Sequence, residues 1–187
     1  MRRPSREAIE KMAEDLLVRN AIWQPPVDVE AIAEGFGYQV LFESFPSDLS
    51  GTLIRDDDGS ITIGINSFHP HVRQRFSIAH EIGHARLHVE TRDDQSSLVY
   101  VDPPGPTVLF RDSRASEGKH VEEIDANRFA ASLLMPRPFI KQEVLDLLEN
   151  SPGLSEGQTV DALALRFGVS SQAMRYRLVN LGVMEPD

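Results

Sequence analysis

Apolar residues in the first third of the chain follow two helical patterns and then three strand patterns. The helical spacing covers residues 6–20, after Ser5 as the N-cap, and residues from about 27 to Gly35 or Gly37. Strands are predicted at residues 38–43, 51–54 and 61–65. The turn at 56–59, Asp-Asp-Asp-Gly, separates the last two strands, so we expect them to form a hairpin.

The remaining sequence is mainly helical in pattern, apart from one irregular segment. Helices are predicted at residues 71–88, 119–135, 138–150, 160–167 and 170–181. Residues 91–118 carry at most one strand, at 108–111, and a loop this long is usually functional or mobile. We therefore expect an α+β fold. A short, mainly antiparallel sheet would pack on the helix at 71–88, within a domain at 1–150. A linker at 151–157 would open a C-terminal helical segment at 151–187.

Composition restricts the chemistry that this chain can perform. It has 187 residues, 41% of them hydrophobic, which suits a globular protein with a real core. It has no cysteine, so disulfides and thiolate metal sites are excluded and any metal must be held by His, Asp or Glu. The net charge of −10 argues against a nucleic-acid binder, which usually presents a basic surface to phosphates.

The sequence shows no sign of export or membrane insertion. The basic N-terminus has no apolar core like that of a signal peptide, and no run of 18 apolar residues occurs. We therefore expect a cytoplasmic protein that does not associate with a membrane.

The strongest chemical signal is the run His80-Glu81-Ile82-Gly83-His84. On a helix, His80 and His84 share one face, one turn apart, so both imidazoles can bind one zinc ion. Glu81 follows the first histidine and can lie beside the metal without binding it, where it would deprotonate a water molecule. Two unrelated histidines on an exposed helix are the alternative interpretation, which the amphipathic, proline-free setting disfavours.

A third ligand must come from an acidic residue or another histidine. The longer motif HExxHxxGxxH, which supplies a third histidine, is not present. Leu87 stands at its Gly position and Glu90 at its last His position. The best candidate is Glu123, which shares one helical face with Asn127. The small residues Ala130 and Ala131 continue this face, so it can pack closely against the metal helix. Glu122 is the lesser candidate, about 100° away around the helix.

Several nearby side chains are weaker candidates for a role at the site. Asn127 or Asp125 could accept a hydrogen bond from the ring nitrogen of a ligand imidazole that faces away from the metal. His88 and His120 could approach the cleft, but packing or capping is the favoured interpretation for both. Tyr100 could donate a hydrogen bond to a substrate carbonyl, although a lone tyrosine in a loop is more often a packing residue.

The runs RFSIAHEIGHARLH and EEIDANRFAASLLMP resemble the ImmA/IrrE-type metallopeptidases. The resemblance extends from about residue 27 to 135 and into the C-terminal helical segment at 151–187, the tail. It implies a zincin-like, minimal gluzincin fold, a zinc ion or a similar divalent ion such as manganese, and proteolysis of a transcriptional repressor. On this match the ligands are His80, His84 and Glu123, and the base is Glu81.

The tail resembles a helix-turn-helix, with a turn at Gly168 and Ser170 as the N-cap of its second helix. Arg166, Arg175 and Arg177 make it locally basic. It could contact DNA, or it could be a helical hairpin that packs on the protease domain or holds a protein partner. The acidic charge of the whole chain favours the second interpretation.

The sequence therefore predicts a zinc endopeptidase that cleaves one specific cytoplasmic protein. The resemblance indicates a helix-turn-helix repressor encoded nearby as the substrate, and hence a role in transcription regulation and stress response. Two rivals are a DNA-binding regulator and a toxin–antitoxin-type protein, each keeping a zincin scaffold without catalysis. Glu81 argues against both, because a structural metal site needs no base.

Overall fold

The computed structural model describes residues 3–91, 97–102 and 114–186. Four strands and seven α-helices lie in these ranges. The strands are β1 (Gln39–Glu43), β2 (Gly51–Arg55), β3 (Ile61–Asn66) and β4 (Leu98–Asp102). The helices are α1 (Arg6–Arg19), α2 (Val29–Gly35), α3 (His71–His84), α4 (Arg114–Leu134), α5 (Arg137–Asn150), α6 (Glu156–Phe167) and α7 (Ser171–Asn180). A π-helical turn, Ala85–Val89, continues α3.

The four strands form one sheet in the order β1-β3-β2-β4. The predicted hairpin is confirmed, since β2 and β3 pair antiparallel with Leu53 opposite Ile63. β4 pairs antiparallel with β2, whereas β1 pairs parallel with β3. Two of the three pairings are antiparallel, so the prediction of a mainly antiparallel sheet in an α+β fold is confirmed.

The helix α3 packs against β2 and β3 and buries an apolar face there. Ile78 and Ile82, four residues apart, are completely buried, as are Leu53 and Ile63 on the strands. Burial of aliphatic side chains of this size stabilises the fold by about 1.5–3 kcal/mol each. This packing fixes the rotation of α3 and therefore the direction of its histidines.

The chain forms two compact units. One contains residues 28–130, with the sheet, α2, α3 and most of α4. The other combines residues 1–27 with 131–187 and is helical, with a core that includes Ile9, Phe167 and Leu178. The predicted boundary at residue 150 lies inside this helical unit, which also contains the N-terminal helix.

One strand was not predicted, and two helices begin earlier than predicted. The strand β4 was not predicted, and the strand predicted at 108–111 lies outside the described residues. The helix α4 begins at Arg114 instead of residue 119. The helix α6 begins at Glu156, inside the predicted linker, because Ser155 and Gln158 form a capping box that holds its first turn.

No helix in the described residues is long and apolar enough to cross a membrane.

Candidate metal centre

The two histidines of the motif are buried side by side on α3. His80 and His84 expose 2% and 1% of their surfaces, and their ring centroids are 4.6 Å apart. Their Nε2 atoms are 2.9 Å apart. Both Nε2 atoms therefore point at the same small volume, as the four-residue spacing predicts.

The helix α4 brings a carboxylate to the same volume. Glu123 Oε2 lies 3.3 Å from His80 Nε2, and Glu123 Oε1 lies 3.2 Å from His84 Nε2. Ligand atoms placed 2.0–2.1 Å from a tetrahedral zinc ion are about 3.3 Å apart. The three residues therefore have the donor types and the spacing that a divalent metal requires, and they could hold one.

Electrostatics at the cluster match the protonation states that metal ligands need. Burial lowers the pKa of His84, and Glu123 only partly opposes this, so the neutral imidazole is favoured. Burial alone would raise the pKa of the Glu123 carboxyl, but hydrogen bonds with His80 and His84 outweigh it and lower the pKa. A neutral imidazole and an ionised carboxylate are the forms that bind metal.

The cluster can form because α3 and α4 approach each other unusually closely at Gly83. A Cβ atom at this position would lie 3.1 Å from the Cα of Ala126 and 3.2 Å from Phe129 Cδ1. Small residues on both helices thus let the backbones nearly touch. Glu123, one turn before Ala126, reaches the histidines as a result.

Asn127 holds the ring of His80 in one orientation. Its Oδ1 lies 3.1 Å from His80 Nδ1, and because an amide oxygen can only accept, that nitrogen is the donor of the hydrogen bond. A proton on Nδ1 would leave the Nε2 lone pair available to a metal ion in the volume that His80 shares with Glu123 and His84. Of the two predicted partners, Asn127 has this role, whereas Asp125 lies 3.6 Å from the Arg128 guanidinium.

Glu81 directly follows His80 on α3 and is not among the three side chains that converge. Its side chain is completely buried, and Oε1 points to the first residue of β2, where a Cβ on Gly51 would lie only 2.7 Å away. Gly51 therefore provides the space that the carboxylate occupies. Sequence reasoning missed Gly51, since nothing in the local pattern links it to the motif.

Other candidates have different surroundings. Glu122 does not reach the ligand cluster; its carboxylate accepts a hydrogen bond of 3.0 Å from the Tyr100 hydroxyl. His88 Nε2 donates to the backbone oxygen of Glu122 at 3.2 Å, consistent with its predicted packing role. His120 is exposed.

The arginines of the tail all have acidic partners within the helical unit. Arg166 pairs with Glu143 and, at 2.6 Å, with Asp146. Arg175 pairs with Glu156 at 2.8 Å. The third, Arg177, is 5% exposed; it donates to the backbone oxygen of Met135 and pairs with Glu10, both at 3.0 Å.

Two of three comparisons with known proteins give a match. The family model of the peptidase M78 family, described as the IrrE N-terminal-like domain, matches residues 33–179. No curated protein matches the sequence. Among solved structures, the chain is similar to a Mycobacterium tuberculosis transcriptional regulator, with 18% identity and a TM-score of 0.60. The match covers 92% of this chain and 46% of that protein, so the chain spans less than half of its length, and the likeness shows a shared fold. The family match includes α3, α4 and most of the tail, and the chain belongs to the ImmA/IrrE family of M78 peptidases.

Proposed function

We propose that this chain is a zinc endopeptidase that cleaves one specific cytoplasmic protein. His80, His84 and Glu123 would bind the ion, and Glu81 would act as the general base. The observation that carries the proposal is the convergence of donor atoms from three side chains, 2.9–3.3 Å apart, together with the complete burial of Glu81, which directly follows His80. Two imidazoles and one carboxylate are a common set of protein ligands in catalytic zinc sites, and manganese or another divalent ion is the alternative.

A zinc ion at this site would lower the pKa of water to about 7 and polarise a substrate carbonyl. The chain supplies the proton transfers. Glu81 takes a proton from the attacking water and returns it to the nitrogen of the leaving amine, so the carboxylate is regenerated. Asn127 keeps His80 in the tautomer and orientation that the site needs.

For the substrate, we propose a helix-turn-helix transcriptional repressor encoded near this chain. Membership of the ImmA/IrrE family supports this choice. A zincin-like arrangement, with α3 as the metal helix, is part of the same proposal. On this account the enzyme acts in transcription regulation by removing a repressor.

We further propose that α6 and α7 form a helical hairpin that serves for packing within the protein or holds a protein partner. On this proposal the hairpin does not bind DNA. Arg166, Arg175 and Arg177 support this view, because each is already paired with an acidic side chain. Phosphate contacts need cationic groups that can leave such pairs, and the chain carries a net charge of −10.

A non-catalytic regulator is the second candidate. It is favoured by the fold shared with a protein described as a transcriptional regulator. Complete burial of Glu81 argues against it, since a buried ionisable group is costly to keep without a role.

Co-incubation with the neighbouring repressor tests the proposal. Zinc-loaded protein should convert the repressor into two fragments. A chelator should stop the reaction, and added zinc should restore it. A repressor that stays intact with zinc-loaded protein, but binds it tightly, would favour the non-catalytic regulator.

A further inference from the structure

Tyr100 lies next to the metal ligands, a position that its local sequence does not reveal. It belongs to β4, the strand at one edge of the described sheet. Its ring centroid is 5.0 Å from that of His84, with the ring planes 31° apart. The edge strand therefore delivers a phenol group to the side of the second ligand.

The hydroxyl of Tyr100 is fixed by the other ligand-bearing helix. It donates a hydrogen bond of 3.0 Å to Glu122 Oε2, and Glu122 directly precedes the ligand Glu123 on α4. The backbone oxygen of Glu122 also accepts a hydrogen bond from His88. Tyr100 is thus held between two elements that form the site, while its side chain and that of Glu122 are only partly buried.

We propose that Tyr100 is a catalytic residue that donates a hydrogen bond to the substrate carbonyl oxygen during cleavage. This inference rests on the proposed peptidase function. The hydroxyl is bound to Glu122 in the absence of substrate, and its hydrogen bond is shared with, or moves to, the carbonyl oxygen when a peptide is seated. Glu122 is then the group that positions the phenol.

The electron and proton movements define what Tyr100 does. As the water oxygen bonds to the carbonyl carbon, the π electrons of the C=O bond move onto its oxygen, and Glu81 takes the water proton. The Tyr100 hydrogen bond stabilises this negative oxygen without transferring its own proton. When the C–N bond breaks, the C=O bond re-forms and the nitrogen receives the proton from Glu81. Loss of one such donor typically costs a factor of about 10² to 10³ in kcat.

The Tyr100→Phe variant separates this role from packing. It keeps the ring beside His84 and removes only the hydroxyl. With the neighbouring repressor as substrate, kcat should fall about 10²- to 10³-fold while KM and the zinc content stay unchanged. Tyr176→Phe removes a hydroxyl from a tyrosine that is 64% exposed on α7; it is the matched control and should leave kcat unchanged.

A binding measurement gives a readout that does not depend on turnover. In a Glu81→Gln background, repressor affinity should be the same with and without the Tyr100→Phe substitution, because the hydrogen bond strengthens only as charge develops. The chain has three tyrosines, so 3-fluorotyrosine labelling can follow each of them by NMR. The Tyr100 resonance should move in the Glu122→Gln variant, and the Tyr176 resonance should not.

Three outcomes would overturn the inference. A zinc-loaded Tyr100→Phe protein that cleaves at the wild-type rate would show that the hydroxyl takes no part. Loss of zinc together with activity would show that Tyr100 supports the metal site. Failure of the zinc-loaded wild type to cleave the repressor would remove the proposed function itself, and this inference with it.

Discussion

The metal centre and the tail are both recognisable motifs, but their charged groups have opposite surroundings. His80, His84 and Glu123 direct their donor atoms at one shared volume. The arginines of the tail are instead each used in an internal ion pair. A motif thus predicts binding only when its functional atoms converge on a place where a ligand fits. The donor atoms of the histidine motif converge in this way, whereas the cationic groups of the tail are held by acidic partners.

Removal of an imidazole should have the largest effect in this comparison. We expect His80→Ala and His84→Ala each to lose stoichiometric zinc, because the two protein ligands that remain hold the ion much more weakly than three do. Metal analysis of purified protein measures this directly. His120→Ala is the control and should bind one equivalent, since His120 is exposed. If both ligand variants also bind one equivalent, the assignment of the centre is wrong.

The two neighbouring glutamates of α4 give the next largest contrast. Glu123→Gln should weaken zinc binding strongly, because it replaces an anionic ligand with a neutral amide. Glu122→Gln should change zinc affinity little, since that carboxylate bonds to Tyr100. A competition titration against a fluorescent chelator ranks the two variants. The reverse order would move the third ligand to Glu122.

Substitution of Asn127 should weaken zinc binding less than substitution of Glu123. Asn127→Ala removes the acceptor that orients His80, and such losses typically weaken metal binding by about 10- to 100-fold. Asn150→Ala, at the end of α5, is the control, because its side chain bonds within its own helix. Equal zinc affinity for both variants would show that Asn127 does not orient the ligand.

Substitutions in the tail should lower the stability of the protein and hardly change its rate of cleavage. Arg177→Ala should lower the free energy of unfolding by about 1–3 kcal/mol, because it removes hydrogen bonds of a buried guanidinium. Arg175→Ala should cost less than about 1 kcal/mol, as is usual for exposed ion pairs. Denaturant titrations measure both values, and repressor cleavage by folded protein should be largely unchanged.

DNA binding provides the contradictory outcome for the tail. We expect weak binding without sequence preference at physiological salt. A nanomolar, sequence-selective complex that Arg175→Ala disrupts would show that the ion pairs open for phosphate, and would favour the regulator over the enzyme.

The sequence predicts much of this structure where the signals are local. Helical spacing placed His80 and His84 on one face, and the shared face of Glu123 and Asn127 identified the residues that meet them. The start of α6 was also predictable in principle, because Ser155 and Gln158 form a recognisable capping box. That signal lay within a segment whose Pro and Gly residues suggested a linker.

Features that depend on chain segments far apart could not be predicted. Leu98–Asp102 becomes a strand because β2 offers it a pairing edge, which its own residues do not reveal. The fit of Glu81 against Gly51 and the contact of Tyr100 with Glu122 likewise require the folded arrangement. The sequence therefore predicts the three residues that converge at the candidate site and the partner Asn127, but not the surroundings of Glu81 and Tyr100.

The Glu81→Gln variant tests the central claim most directly, with zinc content and cleavage rate measured on the same preparation. The amide keeps nearly the same shape but cannot accept a proton from water. We predict close to one equivalent of zinc, retained repressor binding, and turnover lower by a factor on the order of 10² to 10⁴. Full activity in the zinc-loaded variant would contradict the proposed role of Glu81. Loss of zinc together with activity would show that Glu81 supports the metal and is not simply the base.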